Sequence, residues 1–305
     1  MSIQIYNNIS KVGLSLLKNN YKIGNNIKNP IGILLRSHNL NGEIIPDSVL
    51  GIARCGIGVN NIPTNDMTNK GIVVFNTPGS NANSVKELTL TGLLLASRNI
   101  YQGINYVNTF GNNIDMSIVE KNKKLFQGTE LMGKTIGIVG LGNIGKMVAK
   151  SCKNLGMDVI GYDPISTMNE IKQTSNLSEI IKVSDFISLH IPYIEGETDN
   201  LLNKDILNGL NKNTHILNFS RNGIIDEDYL LKRIEDNEFD GYYITDFPNN
   251  NLVNNSQVIQ IPHLGASTQE ATDNSALMAI NQLDNYIVAG TIKNSVNFPD
   301  IYLDK

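Results

Sequence analysis

The sequence predicts an α/β protein of two doubly wound, parallel-sheet domains with a cleft between them, and three observations carry that prediction. A glycine-rich turn, Gly140-Leu-Gly142-Asn143-Ile144-Gly145, joins an apolar strand pattern to a helix-like segment. Short apolar runs alternate with helix-like stretches along the whole chain, as βαβ units require. Finally, roughly 130 residues with their own alternation precede a turn that ordinarily opens its domain.

The elements follow in order. Strands are expected at 31–35, 49–54 and 71–75, with turns and helix-like stretches between them. A long apolar-periodic helix is expected over 84–100, from Val85, Leu88, Leu90 and the run Leu93 to Leu95. Residues 135–139 form the strand before the glycine turn, a helix runs on to Leu155, and a strand at 157–162 ends in Asp163. Further strands are read at 186–190, 215–219, 242–246 and 258–261. The last helix, 270–289, has no strand after it to join the second sheet, so it is expected to return to the first domain. The predicted division is 1–98 with 275–305 as a substrate domain, and 99–274 as a cofactor domain of Rossmann type. Ligand is expected in the cleft, at the carboxyl ends of both sheets.

The glycines have separate duties in a dinucleotide site. Gly140 permits the tight turn, Gly142 lets a pyrophosphate approach the backbone, and Gly145 lets the helix pack close to the strand. The helix N-terminus offers N–H groups and a positive dipole end to the phosphates. Asp163 lies 18 residues beyond Gly145, where a carboxylate takes the adenosine ribose hydroxyls. No Arg or Lys follows it until Lys172, so the sequence favours NAD over NADP.

Composition narrows the class. A chain of 305 residues that is 41% apolar and 18% charged has room for two ordinary cores. A formal charge of −4 without a basic cluster argues against nucleic acid as partner. Asparagine is over-represented, as in Asn249-Asn250-Asn251, which weakens any argument from a single Asn. Two cysteines, Cys55 and Cys152, make no disulfide framework. With no signal segment and no apolar run of membrane-spanning length, the expectation is a cytoplasmic protein without a membrane partner. Metal-ligand spacing and nucleophile motifs are absent from the sequence.

Beyond the fingerprint, three successive strand ends carry Arg221, Asp246 and His263. An Arg grips a carboxylate with two parallel N–H bonds, and a His moves a hydroxyl proton near neutral pH. Singly, each has an ordinary structural reading. In this order after a dinucleotide fingerprint, they are what hydride chemistry on a hydroxy acid needs.

At this point the chain resembles the D-isomer-specific 2-hydroxyacid dehydrogenase family. The likeness rests on Arg54-Cys-Gly-Ile-Gly-Val-Asn-Asn61, Phe75-Asn-Thr-Pro-Gly-Ser-Asn81, Ser188-Leu-His-Ile-Pro192 and Pro262-His-Leu-Gly-Ala-Ser-Thr268, and extends to Asn294-Ser-Val-Asn-Phe-Pro299. It is similar in particular to that family's short phosphoglycerate dehydrogenases, which implies NAD-linked oxidation of 3-phospho-D-glycerate to 3-phosphohydroxypyruvate, the first step of serine synthesis. The resemblance makes Arg221 the ligand of the substrate carboxylate and hydroxyl oxygen, and His263 the acid/base. It gives Asp246 to the nicotinamide carboxamide, His190 and Pro192 to the adenosine side, and Asn143, Ile144, Ser220 and Gly265 to the same cofactor. Backbone N–H groups of the turn that includes Ile57 and Gly58 are implied for the substrate carboxylate, and Asn81 for the substrate site. A homodimer through the cofactor domain is implied as well. Because the chain ends just past Pro299, the appended regulatory domain of longer relatives is expected to be missing.

Cations carry the phosphate expectation. Arg36 and Ser37 match the family's phosphate-side pair, Arg54 ends the next strand, and His38 stands where many relatives have a stronger cation. Lys86 is expected in the first turn of a helix starting near Ser84, where a cation costs about 0.3–1 kcal/mol unless an anion binds there. One departure concerns the family's catalytic glutamate, expected four or five residues after Asp246. Asn250 and Asn251 stand there, and an amide can orient an imidazole without stabilising its charge. Two other readings stay open: a glyoxylate, hydroxypyruvate or lactate dehydrogenase, and a non-catalytic NAD-sensing scaffold.

Overall fold

Parallel strands buried on both faces read as short unbroken apolar runs, and in the computed structural model such runs form the centres of two sheets. The structure describes residues 1–17 and 21–302. The first unit comprises Met1–Ser84 and Ala266–Lys305. Among its described residues, a sheet of five parallel strands contains β1 (Ser2–Ile5), β2 (Lys22–Gly24), β3 (Gly32–Leu35), β4 (Gly51–Arg54) and β5 (Val73–Phe75). Their spatial order is β2-β1-β3-β4-β5, so the chain reverses direction across the sheet between β1 and β3.

The second unit, Val85–Gly265, holds a sheet of seven parallel strands. These are β6 (Thr135–Val139), β7 (Asp158–Tyr162), β8 (Lys172–Gln173), β9 (Phe186–Leu189), β10 (His215–Asn218), β11 (Tyr243–Thr245) and β12 (Val258–Gln260). The order β12-β11-β10-β9-β6-β7-β8 puts the reversal between β6 and β9. Both sheets are doubly wound, as the sequence predicts.

Three strands carried no signal in the sequence, each for a physical reason. In β1 the apolar run is broken by Gln4, which is buried all the same because its amide donates to the Asn25 carbonyl at 2.7 Å and accepts from the Ile27 N–H at 2.8 Å. β2 and β8 are edge strands with exposed positions and no continuous apolar face.

The unit boundaries fall at Ser84/Val85 and Gly265/Ala266, whereas the sequence places them at 98/99 and 274/275. Packing explains the shift. The helix Ala82–Arg98 presses Gly92 against Leu217 and Phe219 and buries Val85, Leu93 and Ala96 in the second unit's core. It stops at Asn99, whose backbone is left-handed at φ 49° and whose side chain accepts from the Tyr242 hydroxyl. The final helix, Gln269–Ala289, belongs to the first unit over its full length. Ala276 lies against Gly13, Leu283 against Gly32 and Gly51, and the Tyr21 hydroxyl donates to Asp284 at 2.6 Å. The tail of the expected return, 303–305, lies outside the described residues, as do 18–20.

His215, at the start of β10, is held between Phe186 and Tyr242, with ring centroids 4.9 and 5.7 Å away. Its Nδ1 accepts the Tyr242 N–H at 2.9 Å, a bond that protonation would break. Burial pushes its pKa down to about 4, against the opposing pull of Asp185 and with a small push from Lys134. Above about pH 6.5 the ring is neutral in folded and unfolded chain alike. As pH falls through 6.5, the unfolded chain takes up a proton that the folded ring refuses until about pH 4. This group should therefore cost about 2 kcal/mol of stability between pH 7 and pH 5. His215→Gln, which keeps an acceptor and cannot titrate, should flatten that part of the pH–stability curve in denaturant titrations. Identical curves for the two proteins would show that the ring titrates freely in the fold.

Candidate functional site

In the second unit the glycine turn runs from the carboxyl end of β6 into the helix Asn143–Asn154. Gly140 is left-handed at φ 97°, and a Cβ there would stand 2.5 Å from the His190 carbonyl oxygen at the end of β9. A Cβ on Gly145 would stand 1.8 Å from the Gly140 carbonyl oxygen, so any other residue would push the helix off the strand. Gly142 is exposed with open space where its Cβ would be, and as the helix cap it offers the first-turn N–H groups no side chain. Asn143 and Ile144 are the first two helical residues. An anion fits where a capping oxygen would otherwise sit.

Asp163, directly after β7, braces this turn. One carboxylate oxygen accepts the Leu141 N–H at 2.7 Å, and the other accepts those of Ile165 and Ser166 at 2.8 and 2.7 Å. Burial works to raise its pKa, but those N–H groups and the Lys146 charge outweigh it, and the carboxyl lies below its usual range. His190 follows β9 with its Nε2 2.9 Å from the Ser188 hydroxyl, and burial pushes its pKa down to about 3. Its Nδ1 is buried with no hydrogen-bond partner. Pro192, two residues on, is exposed and accepts the Thr198 hydroxyl at its carbonyl.

The ends of β10, β11 and β12 carry the remaining residues. The Asn218 side chain accepts from the N–H and hydroxyl of Ser220 and donates to the Arg221 carbonyl at 2.8 Å. Arg221 is exposed, with one guanidinium nitrogen 2.6 Å from the Ser220 carbonyl. Asp246 takes its own N–H to the Asn218 carbonyl, which ties β11 to β10. Its carboxylate is buried, and its two oxygens accept the Leu264 and Gly265 N–H groups, each at 2.7 Å. Burial raises its pKa against those bonds and the His263 charge. Through those bonds Asp246 holds the 263–265 turn. His263 itself is exposed and left-handed at φ 54°, a conformation that costs a side-chain-bearing residue about 1–3 kcal/mol. The bonds to Asp246 offset that cost.

Asn250 and Asn251 stand where the resemblance places the family's glutamate. Both are exposed on a short 3-10 turn, Asn250–Leu252. Asn249 turns away to Glu227, 3.0 Å from its Nδ2, and to Gln260. The side chain that meets the imidazole is Phe247, edge-on at 5.2 Å between centroids.

In the first unit, Arg36 and Ser37 are exposed just beyond β3. Arg54 ends β4 half-buried, with its guanidinium lying over Gly56. Burial pushes the Cys55 thiol up to about 12, while the charges of Arg36 and Arg54 pull it down. Leu35 pairs with Arg54 across β3 and β4, so Arg36 and Arg54 leave neighbouring strands at the turn that follows β4. That turn is fixed by the Asn76 amide on the Ile57 carbonyl and the Thr77 N–H on the Gly56 carbonyl, leaving Gly58 exposed with open space at its Cβ position. Asn81 has a buried Oδ1 without a partner. Lys86 departs from expectation. The helix begins at Ala82, so Lys86 lies beyond its first turn, in the second unit, with its ammonium 3.5 Å from Glu87. The dipole argument for a bound anion there does not apply. Asn7, Asn76 and Asn218 were missed, because asparagine looked like filler.

Residues 90–266 match the family model described as D-isomer specific 2-hydroxyacid dehydrogenase, NAD binding domain. This chain belongs to that family. It is 34% identical over 264 residues to the D-3-phosphoglycerate dehydrogenase of Methanocaldococcus jannaschii, covering 83% of this chain and 48% of that one. The chain spans about half the length of the curated phosphoglycerate dehydrogenases it matches first. It is 35% identical over 229 residues to the hydroxypyruvate reductase of Thermotoga maritima, covering 72% of each. Among solved structures it is similar to the NAD+-bound 3-phosphoglycerate dehydrogenase of Entamoeba histolytica, with 27% identity, a TM-score of 0.78 and coverage of 98% and 99%. The family's NAD-binding domain is thus present, and the cofactor is NAD. No described helix is long and apolar enough to cross a membrane.

Gly145→Val should abolish the helix–strand approach, cost about 1–3 kcal/mol of stability, and remove NADH binding in a fluorescence titration. Undiminished NADH affinity in a folded variant would show that the turn does not hold the dinucleotide.

Proposed function

We propose that the chain is an NAD-dependent dehydrogenase that oxidises 3-phospho-D-glycerate at C2 to 3-phosphohydroxypyruvate, at the entry to serine synthesis. The observation that carries the substrate is the pair of arginines, Arg36 and Arg54, at the neighbouring exits of β3 and β4 in the first unit. A dianionic phosphoryl group and a carboxylate need more than one cation. The similarity to phosphoglycerate dehydrogenases supports the same reading. NAD supplies the hydride acceptor. Arg221 grips the carboxylate and the C2 oxygen, and its exposed guanidinium is free to turn outward from the Ser220 carbonyl. His263, set by Asp246, takes the hydroxyl proton as base. N–H groups of the turn that includes Ile57 and Gly58 complete the carboxylate site, and Asn81 lines it. Asp163 takes the ribose hydroxyls. Ser220, Gly265, His190 and Pro192 border the cofactor.

The similarity to a hydroxypyruvate reductase favours one second reading, in which the keto acid is unphosphorylated. Turnover decides between them. Purified protein should oxidise 3-phospho-D-glycerate with NAD, and His263→Asn should lower kcat roughly a hundredfold or more with NADH binding intact. NAD should be preferred over NADP by about tenfold or more in kcat/KM, since the ionised Asp163 repels a 2′-phosphate. Asp163→Asn, which keeps an acceptor for the turn, should narrow that preference. Reduction of hydroxypyruvate without turnover of phosphoglycerate would move the assignment to the second reading.

The second unit also presents an unpartnered apolar face. Ile100, Ile104, Val107 and Phe126 line a groove of about 480 Å³ on the helices Ile100–Asn108 and Met116–Asn122 and the segment after them, beside exposed Tyr101, Ile118 and Leu125. A patch of this kind marks an interface, and a second copy of the chain, paired about a twofold axis, covers it. Light scattering should give a dimer mass, and Ile104→Asp should give a folded monomer. A wild-type monomer at micromolar concentration would remove this part of the proposal.

A further inference from the structure

The side chain at the switch point of the first unit's sheet, between β1 and β3, is Asn7, and the functional reading leaves it unused. Its Oδ1 accepts three successive N–H groups, those of Arg36, Ser37 and His38, at 3.4, 3.0 and 2.7 Å. Its own backbone is left-handed at φ 65°. The same turn is gripped from its carbonyl side, where the Asn61 amide donates to Arg36 and His38 at 3.3 and 2.6 Å. The His38 ring lies flat on Tyr6 with centroids 4.0 Å apart, and its Nε2 meets Glu43 at 2.8 Å. The backbone of 36–38 is thereby pinned, while the Arg36 and Ser37 side chains stay exposed.

Three converging N–H groups would suit an anion. Here the centre of that cradle is filled by an oxygen of the protein itself, so an arriving anion meets side chains and not the backbone. We infer that Asn7 is a positioning residue for the phosphoryl end of the substrate: it orders the turn so that the Arg36 guanidinium and Ser37 hydroxyl are presented together. This rests on the phosphoglycerate reading. Without the Asn7 oxygen the three N–H groups turn to water, the turn loosens, and its ordering is charged to substrate binding. Chemistry at C2 does not depend on that turn, so binding should suffer and turnover should not.

The test compares 3-phospho-D-glycerate with D-glycerate in the wild type, Asn7→Gly and Asn7→Asp. Glycine adopts the left-handed backbone freely, so Asn7→Gly removes only the acceptor. It should raise KM for the phosphorylated substrate by about tenfold or more, with kcat and both D-glycerate constants within about twofold. Asn7→Asp restores an oxygen for the same three donors but adds a negative charge beside the phosphoryl group, so it is read by stability and should regain in denaturant titrations what Asn7→Gly loses. Equal losses on both substrates, no loss, or no regained stability in Asn7→Asp would overturn the assignment of Asn7 alone. A wild type that does not prefer the phosphorylated acid would overturn the substrate reading, and the role toward phosphate with it. If Asn7→Gly does not fold, Asn61→Ala loosens the same turn from its other side and should show the same selective rise in KM; its absence counts against the inference equally.

Discussion

Side-chain oxygens standing at strand ends, each accepting backbone N–H groups of a loop, organise both units. Parallel strands cannot close on a tight hairpin, so each runs out into a loop whose polar backbone needs partners. Asn7 beyond β1 binds the turn after β3, and Asp163 after β7 binds the turn after β6. Asp246 after β11 binds the turn after β12, and Asn218 at the end of β10 binds its own following loop. In the first three cases the oxygen reaches across to the neighbouring strand's exit. These bonds fix the functional loops to the sheet, and in the glycine turn the buried Leu141 adds a core contact.

Electrostatics sorts the histidines. His190 and His215 are driven to neutrality by burial and serve as hydrogen-bonding rings within the second unit. His38 is committed to Tyr6 and Glu43. His263 stands exposed in a strained backbone conformation, with a phenylalanine edge on one side and a buried aspartate beneath its turn. Asp246 holds the backbone that follows this imidazole, and Asn249 is engaged with Glu227 and Gln260.

Small residues decide which helix belongs to which sheet. Gly92 admits Leu217 and Phe219 and so assigns the helix Ala82–Arg98 to the second unit. Gly13, Gly32 and Gly51 admit Ala276 and Leu283 and assign the final helix to the first. A methyl group at Gly13 would stand 2.7 Å from the Ala276 side chain. Dense interiors do not absorb that without displacement.

The sequence by itself determined the α/β class, the parallel sheets, the glycine turn and the return of the final helix. Those features are written in local periodicity and in residues with one conformational use, so the strands at 135–139 and 258–261 were legible almost to the residue. Only the tertiary structure showed which of the many asparagines are structural keys, Asn7 and Asn218 among them, that Lys86 sits past the first turn of its helix, and that Phe247 meets the His263 ring. The unit boundaries were decided the same way, by which core accepts a helix face. The reason is common to all of these: a side chain's partner across a sheet is set by which strands become neighbours, and periodicity along one strand carries no record of the next.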